Sequence, residues 1–106
     1  MGDRRMAEIR TEHGSIYLYT HWQGSVLPAL AKAAVERAAP RLGDQPYWVR
    51  IVIDQITKSS RDAETGFGIS LKADMEDSYN NDHPSVVIDA ATGKVSVLRP
   101  GQKRRP

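Results

Sequence analysis

The chain has 106 residues, no cysteine, and 15 Lys+Arg against 13 Asp+Glu, a formal net charge of +2. Four of the basic residues (Arg99, Lys103, Arg104 and Arg105) fall in the last eight positions with no acid beside them, so residues 1–98 carry −2 and the basic charge belongs to a tail, not to a nucleic-acid-binding body. The missing cysteine excludes disulfides, thiol catalysis and Cys-ligated zinc, and no stretch approaches the roughly 20 apolar residues of a membrane span.

A chain of this length is expected to form one domain. Hydrophobic residues make up 40% and charged residues 26%, close to ordinary globular usage. Residues 1–5 read as a frayed terminus, with no apolar segment behind them to make a signal peptide. A cytoplasmic single domain over residues 1–98, followed by a disordered basic tail over 99–106, is the expectation.

A β-hairpin is expected from Met6 to Trp22. Its first arm is weak, with Ala7 and Ile9 pointing inward, and its turn lies at Glu12-His13-Gly14-Ser15, where glycine tolerates positive φ. Along the second arm Ile16, Leu18, Thr20 and Trp22 share one face, and Tyr17, Tyr19 and His21 the other. Gly24 ends the strand and Ser25 is placed to cap a helix. In that helix Pro28 sits in the first turn, and Leu27, Leu30, Ala31, Ala34, Val35 and Ala38 form an apolar stripe. Pro40 and Gly43 stop it.

Asp44 and Pro46 signal a second helix, with Trp48, Ile51, Val52 and Ile56 as its buried stripe. The same segment, Tyr47 to Ile53, is rich in strand formers, and periodicity alone leaves both open; the capping signals favour helix. Lys58 to Glu64 reads as a loop. Phe67, Ile69 and Leu71 alternate with Gly68, Ser70 and Lys72 as a strand. After a long polar connection over residues 73–84, Ser85 to Asp89 and Lys94 to Leu98 form a hairpin in which Val86 and Ile88 share a layer with Val95 and Val97. The order ββααβββ implies an α+β two-layer sandwich, a mostly antiparallel sheet of about five strands with both helices on one face.

Chemistry-bearing residues gather at strand ends. The segment Tyr19-Thr20-His21-Trp22-Gln23-Gly24-Ser25 brings aromatic rings and an imidazole to a helix N-terminus, a setting suited to an anion such as phosphate or to a stacked ring; the same rings would equally serve as packing, with Trp22 in the core. Thr65, Gly66 and Gly68 form a Gly-x-Gly turn into a strand, without the further glycine of a dinucleotide fingerprint or the ending of a P-loop. Asp74, Glu76, Asp77 and Asp82 make an acidic run ending in His83, which offers oxygens to a hard cation but lacks the EF-hand glycine and glutamate. His13, His21 and His83 show no metal-motif spacing.

The runs Ile16-Tyr17-Leu18-Tyr19-Thr20-His21-Trp22-Gln23-Gly24-Ser25, Leu27-Pro28, Tyr47 with Arg50-Ile51-Val52, Glu64-Thr65-Gly66-Phe67-Gly68-Ile69-Ser70 and His83-Pro84, with Val86-Val87-Ile88-Asp89, resemble a group of small proteins scattered through bacterial and phage genomes. The resemblance covers about residues 15–98 and supports the second helix. It carries no activity, so it implies no catalytic residue; it does imply a mobile-element accessory protein. The function expected is non-enzymatic binding of a host protein or a small phosphorylated ligand through Tyr19, His21, Trp22, Gly24 and Ser25, with Thr65, Gly66, Gly68, Asp82 and His83. No cofactor, metal ligand or membrane contact is expected. The alternatives are a small enzyme acting on a nucleotide-like substrate with a His acid/base, and weak nucleic-acid binding through Arg99, Lys103, Arg104 and Arg105. Because the Tyr17–Tyr19–His21 face would need cover, a homodimer is expected.

Overall fold

The structure, a computed structural model, describes residues 2–72 and 82–98. Five strands and two helices follow in the expected order: β1 (Arg5–Thr11), β2 (Gly14–Thr20), α1 (Leu27–Ala38), α2 (Gln45–Thr57), β3 (Phe67–Ser70), β4 (Val86–Asp89) and β5 (Val95–Val97). The acidic run at 74–81 and the basic tail lie outside the described residues. No described helix is long and apolar enough to cross a membrane.

The strands form one sheet in the order β3-β2-β1-β4-β5. Three pairs are antiparallel, and β1 with β4 is the parallel one, with Ala7 opposite Val86 and Ile9 opposite Ile88. The β1–β2 hairpin closes through Glu12 and His13 alone, since Thr11 already pairs with Gly14; Gly14 takes the positive φ this tight reversal needs (φ 130°). In the last hairpin Val86 faces Val97 and Ile88 faces Val95, as the alternation implied.

Both helices pack on one face of the sheet. Leu27, Ala31, Ala34 and Ala38 of α1 and Trp48, Val52 and Ile56 of α2 are buried against Ala7, Ile9, Leu18, Val86 and Ile88. The Tyr47 segment is therefore a helix: its apolar residues recur at the helical spacing, Pro46 fits its first turn, and Asp44 occupies the N-cap position,. Ala31, Ala34 and Ala38 put only methyl groups between that part of α1 and its neighbours, while Trp48 and Ile56 of α2 fill the layer together with Leu27 of α1 and Ile9, Leu18 and Ile88 of the sheet.

The opposite face is also closed within one chain. Met6 is fully buried there, with Tyr17 and Tyr19 at 7% and 8% exposure. Of the face expected to need cover, Tyr17 and Tyr19 are thus buried within one chain and His21 is half-buried.

The start of the chain departs most from expectation. Residues 3–5 are not frayed. The Asp3 N–H donates to the His21 carbonyl and its own carbonyl accepts from the Gly24 N–H, both at 2.7 Å. Arg4 and Asp82 exchange backbone and side-chain contacts. The nearly buried Arg5 guanidinium donates from Nε to the Pro84 carbonyl at 2.7 Å and from Nη1 to the Gly24 carbonyl at 3.1 Å.

Candidate functional site

The sequence-selected residues divide into two neighbouring groups joined by residues 2 and 3. The first surrounds an open cavity of about 390 Å³ at the end of β2. Tyr19, His21 and Trp22 form one wall and residues 65–68 the other, and the walls are mostly apolar. The strand stops at Thr20, so the chain turns away before Trp22. That removes Trp22 from the inward alternation with Leu18 and Thr20, and the indole ends 57% exposed instead of filling the core.

Its neighbours fix the ring's surroundings. The His21 imidazole meets the indole edge-on, 4.7 Å between centroids. His21 Nδ1 is in turn 3.2 Å from the Tyr19 hydroxyl. The His21 N–H donates to the Gly66 carbonyl at 3.0 Å, which staples the two walls together. Gly66 has φ 108°, and a Cβ there would meet the Ser60 side chain and the Trp22 ring. The turn thus needs glycine for its backbone, and the missing side chain leaves space beside the indole. Gly68 pairs with Tyr19 across the β2–β3 ladder. Thr65 lies exposed at the rim.

The second group centres on Asp3, which no local pattern singles out. Asp3 Oδ2 accepts the Ser25 N–H at 2.8 Å, and Oδ1 lies 2.6 Å from His83 Nε2. Hydrogen bonds from the Ser25 side chain and backbone, and then from His83, hold the Asp3 carboxyl down at a pKa of about 2. Asp82 is lowered too, through hydrogen bonds from Arg4.

This arrangement corrects the expected helix cap. Ser25 does not cap α1: residues Gly24–Val26 form a 3₁₀ turn, Val26 holds the cap position, and no side chain bonds there. The chain's own Asp3 carboxylate takes the Ser25 N–H that a phosphate would use, so an anion would have to displace it. Gly24 is buried, with its N–H spent on the Asp3 carbonyl. Gly24, Ser25, Asp82 and His83 therefore act together as an anchorage for the N-terminal segment. Of the two candidates for a His acid/base, His21 lines the cavity wall beside the Tyr19 hydroxyl, whereas His83, in contact with Asp3, does not. Among the described residues no group of three His, Asp or Glu side chains could hold a metal ion.

No family model, curated protein or solved structure matches this chain.

Proposed function

We propose that this chain is a binding protein that takes an apolar or aromatic group of a partner protein in the Tyr19–His21–Trp22 cavity. The observation that carries the proposal is an exposed tryptophan set edge-on against an imidazole beside a glycine turn, walling an open, mostly apolar cavity. Exposed large aromatics beside a concavity are typical anchor sites. The same surface suits an accessory protein that acts by occupying a host protein. The self-filled Ser25 N–H argues for this partner over a phosphorylated ligand.

Indole and p-cresol, the side-chain groups of Trp and Tyr, serve as probes. Titrated into ¹⁵N-labelled protein, they should shift amide signals of residues 19–22 and 65–68, with a Kd on the order of millimolar for fragments this small. Trp22→Ala should abolish the shifts and leave the far-UV circular dichroism unchanged. Shifts scattered over other surfaces, or retained in Trp22→Ala, would refute the site.

A further inference from the structure

The charge of the folded body is not spread evenly. Between residues 27 and 61, the helical layer, six Lys or Arg face three Asp or Glu, a net of +3. The other described residues of the body (2–26, 62–72 and 82–98) hold five Lys or Arg against seven Asp or Glu, a net of −2. A polyanion meeting these surfaces would be steered to the helices.

On that layer, the end of α1 and the middle of α2 enclose a groove of about 360 Å³ lined by Arg37, Arg41 and Arg50, with Ile51, Asp54 and Gln55. Its carboxylate is already engaged: Asp54 Oδ1 is 2.8 Å from Arg61. Arg41 leans on Asp44 at 3.7 Å and lies 5.6 Å from the centre of the Tyr47 ring. Among the described residues Arg37 and Arg50 have no ion-pair partner, and both are exposed. Tyr47 and Arg50 are three residues apart on α2, so they share its outer face, where Tyr47 is largely exposed.

We propose that this groove binds the sugar-phosphate backbone of a single-stranded nucleic acid, with Arg37 and Arg50 on phosphates and Tyr47 available to a base. Three guanidiniums suit phosphate, whose oxygens match their planar donor fork. An exposed ring beside them favours a strand whose bases are unstacked, since a duplex offers no free base face. The groove shares no residue with the Trp22 cavity, so the two sites stand or fall separately.

The test is fluorescence anisotropy of a fluorescein-labelled twelve-residue oligo-dT with the full chain at about 0.05 M salt, where the counter-ion effect alone gives roughly eightfold in affinity per phosphate contact. Arg37→Gln with Arg50→Gln should weaken binding about 60-fold and flatten the slope of log K against log salt by about 1.4. Replacing Arg99, Lys103, Arg104 and Arg105 with Gln in the full chain separates the tail's share and should leave groove binding measurable. Far-UV circular dichroism and a melting curve confirm that each variant is folded. The proposal is overturned if the wild type does not bind, if the groove variant keeps its affinity and salt slope, or if labelled poly-glutamate of equal length binds as tightly.

Discussion

Gly24 offers a sharp test of how the N-terminal segment is held. Its backbone is not in the positive-φ region, so alanine is conformationally acceptable there. The obstacle is a neighbour: a Cβ would lie 2.6 Å from the Asp3 carbonyl oxygen and 3.0 Å from both its carbonyl carbon and Oδ1. These are mostly backbone atoms, so Gly24→Ala must push Asp3 away and loosen the Gly24–Asp3 and Asp3–His21 hydrogen bonds. Overpacking costs about 1–3 kcal/mol and each weakened hydrogen bond about 0.5–1.5 kcal/mol. Together they give about 2–6 kcal/mol, or roughly 10–25 °C in Tm for a domain of this size. The assay is urea denaturation followed by circular dichroism, run as a double-mutant cycle against deletion of residues 1–3. Without Asp3 the clash vanishes, and Gly24→Ala should become neutral or stabilise by about 0.4–1 kcal/mol through the unfolded state. An equal penalty with and without residues 1–3 would refute the close-approach argument.

Two further outcomes follow from single residues. Trp48 is 1% exposed and its indole N–H has no partner among the described residues; Trp48→Phe removes that donor while keeping a ring, and should cost under about 1.5 kcal/mol in urea denaturation, whereas Trp48→Ala should cost about 3–5 kcal/mol. Asp3 ionises near 2 when folded, below its ordinary 3.8, so it binds a proton more weakly in the folded state and its stabilising contribution is complete above about pH 5 and is lost as pH falls through 3.8 towards 2; Asp3→Asn should flatten Tm against pH in that window, and an unchanged acid limb would show that Asp82 and other carboxylates govern it instead.

Features carried by short-range pattern were legible in the sequence. The α1 stripe, the α2 stripe headed by Trp48, and the pairing of Val86 with Val97 each depend on spacing within a dozen residues or so. The Trp22–Gly66 cavity was half legible: its aromatic and glycine signals stood out, but the exposure of Trp22 depends on where β2 stops. The anchorage was not legible, because Asp3, Arg4 and Arg5 meet Asp82, His83 and Pro84 at separations near 80 residues. A local window containing Met1-Gly2-Asp3-Arg4-Arg5 shows three charged residues in a row and no periodicity. The parallel β1–β4 pairing has the same origin, since nothing near Ala7 or Ile9 names Val86 and Ile88 as partners.

That pairing also bears on how the protein is made. β1 sits in the middle of the sheet, flanked by β2 and β4. Its β2 side can close as soon as the hairpin leaves the ribosome, but its other side stays open until Val86–Asp89 has been synthesised. At about 5–20 residues per second the delay is roughly 4–16 s. For that interval the nascent chain displays an unpaired strand bearing Met6, Ala7 and Ile9, the kind of edge that recruits foreign strands. Completion of the sheet therefore waits on a strand translated long after β1, and holding that edge apart from other chains is a task for the cell before it becomes a property of the fold.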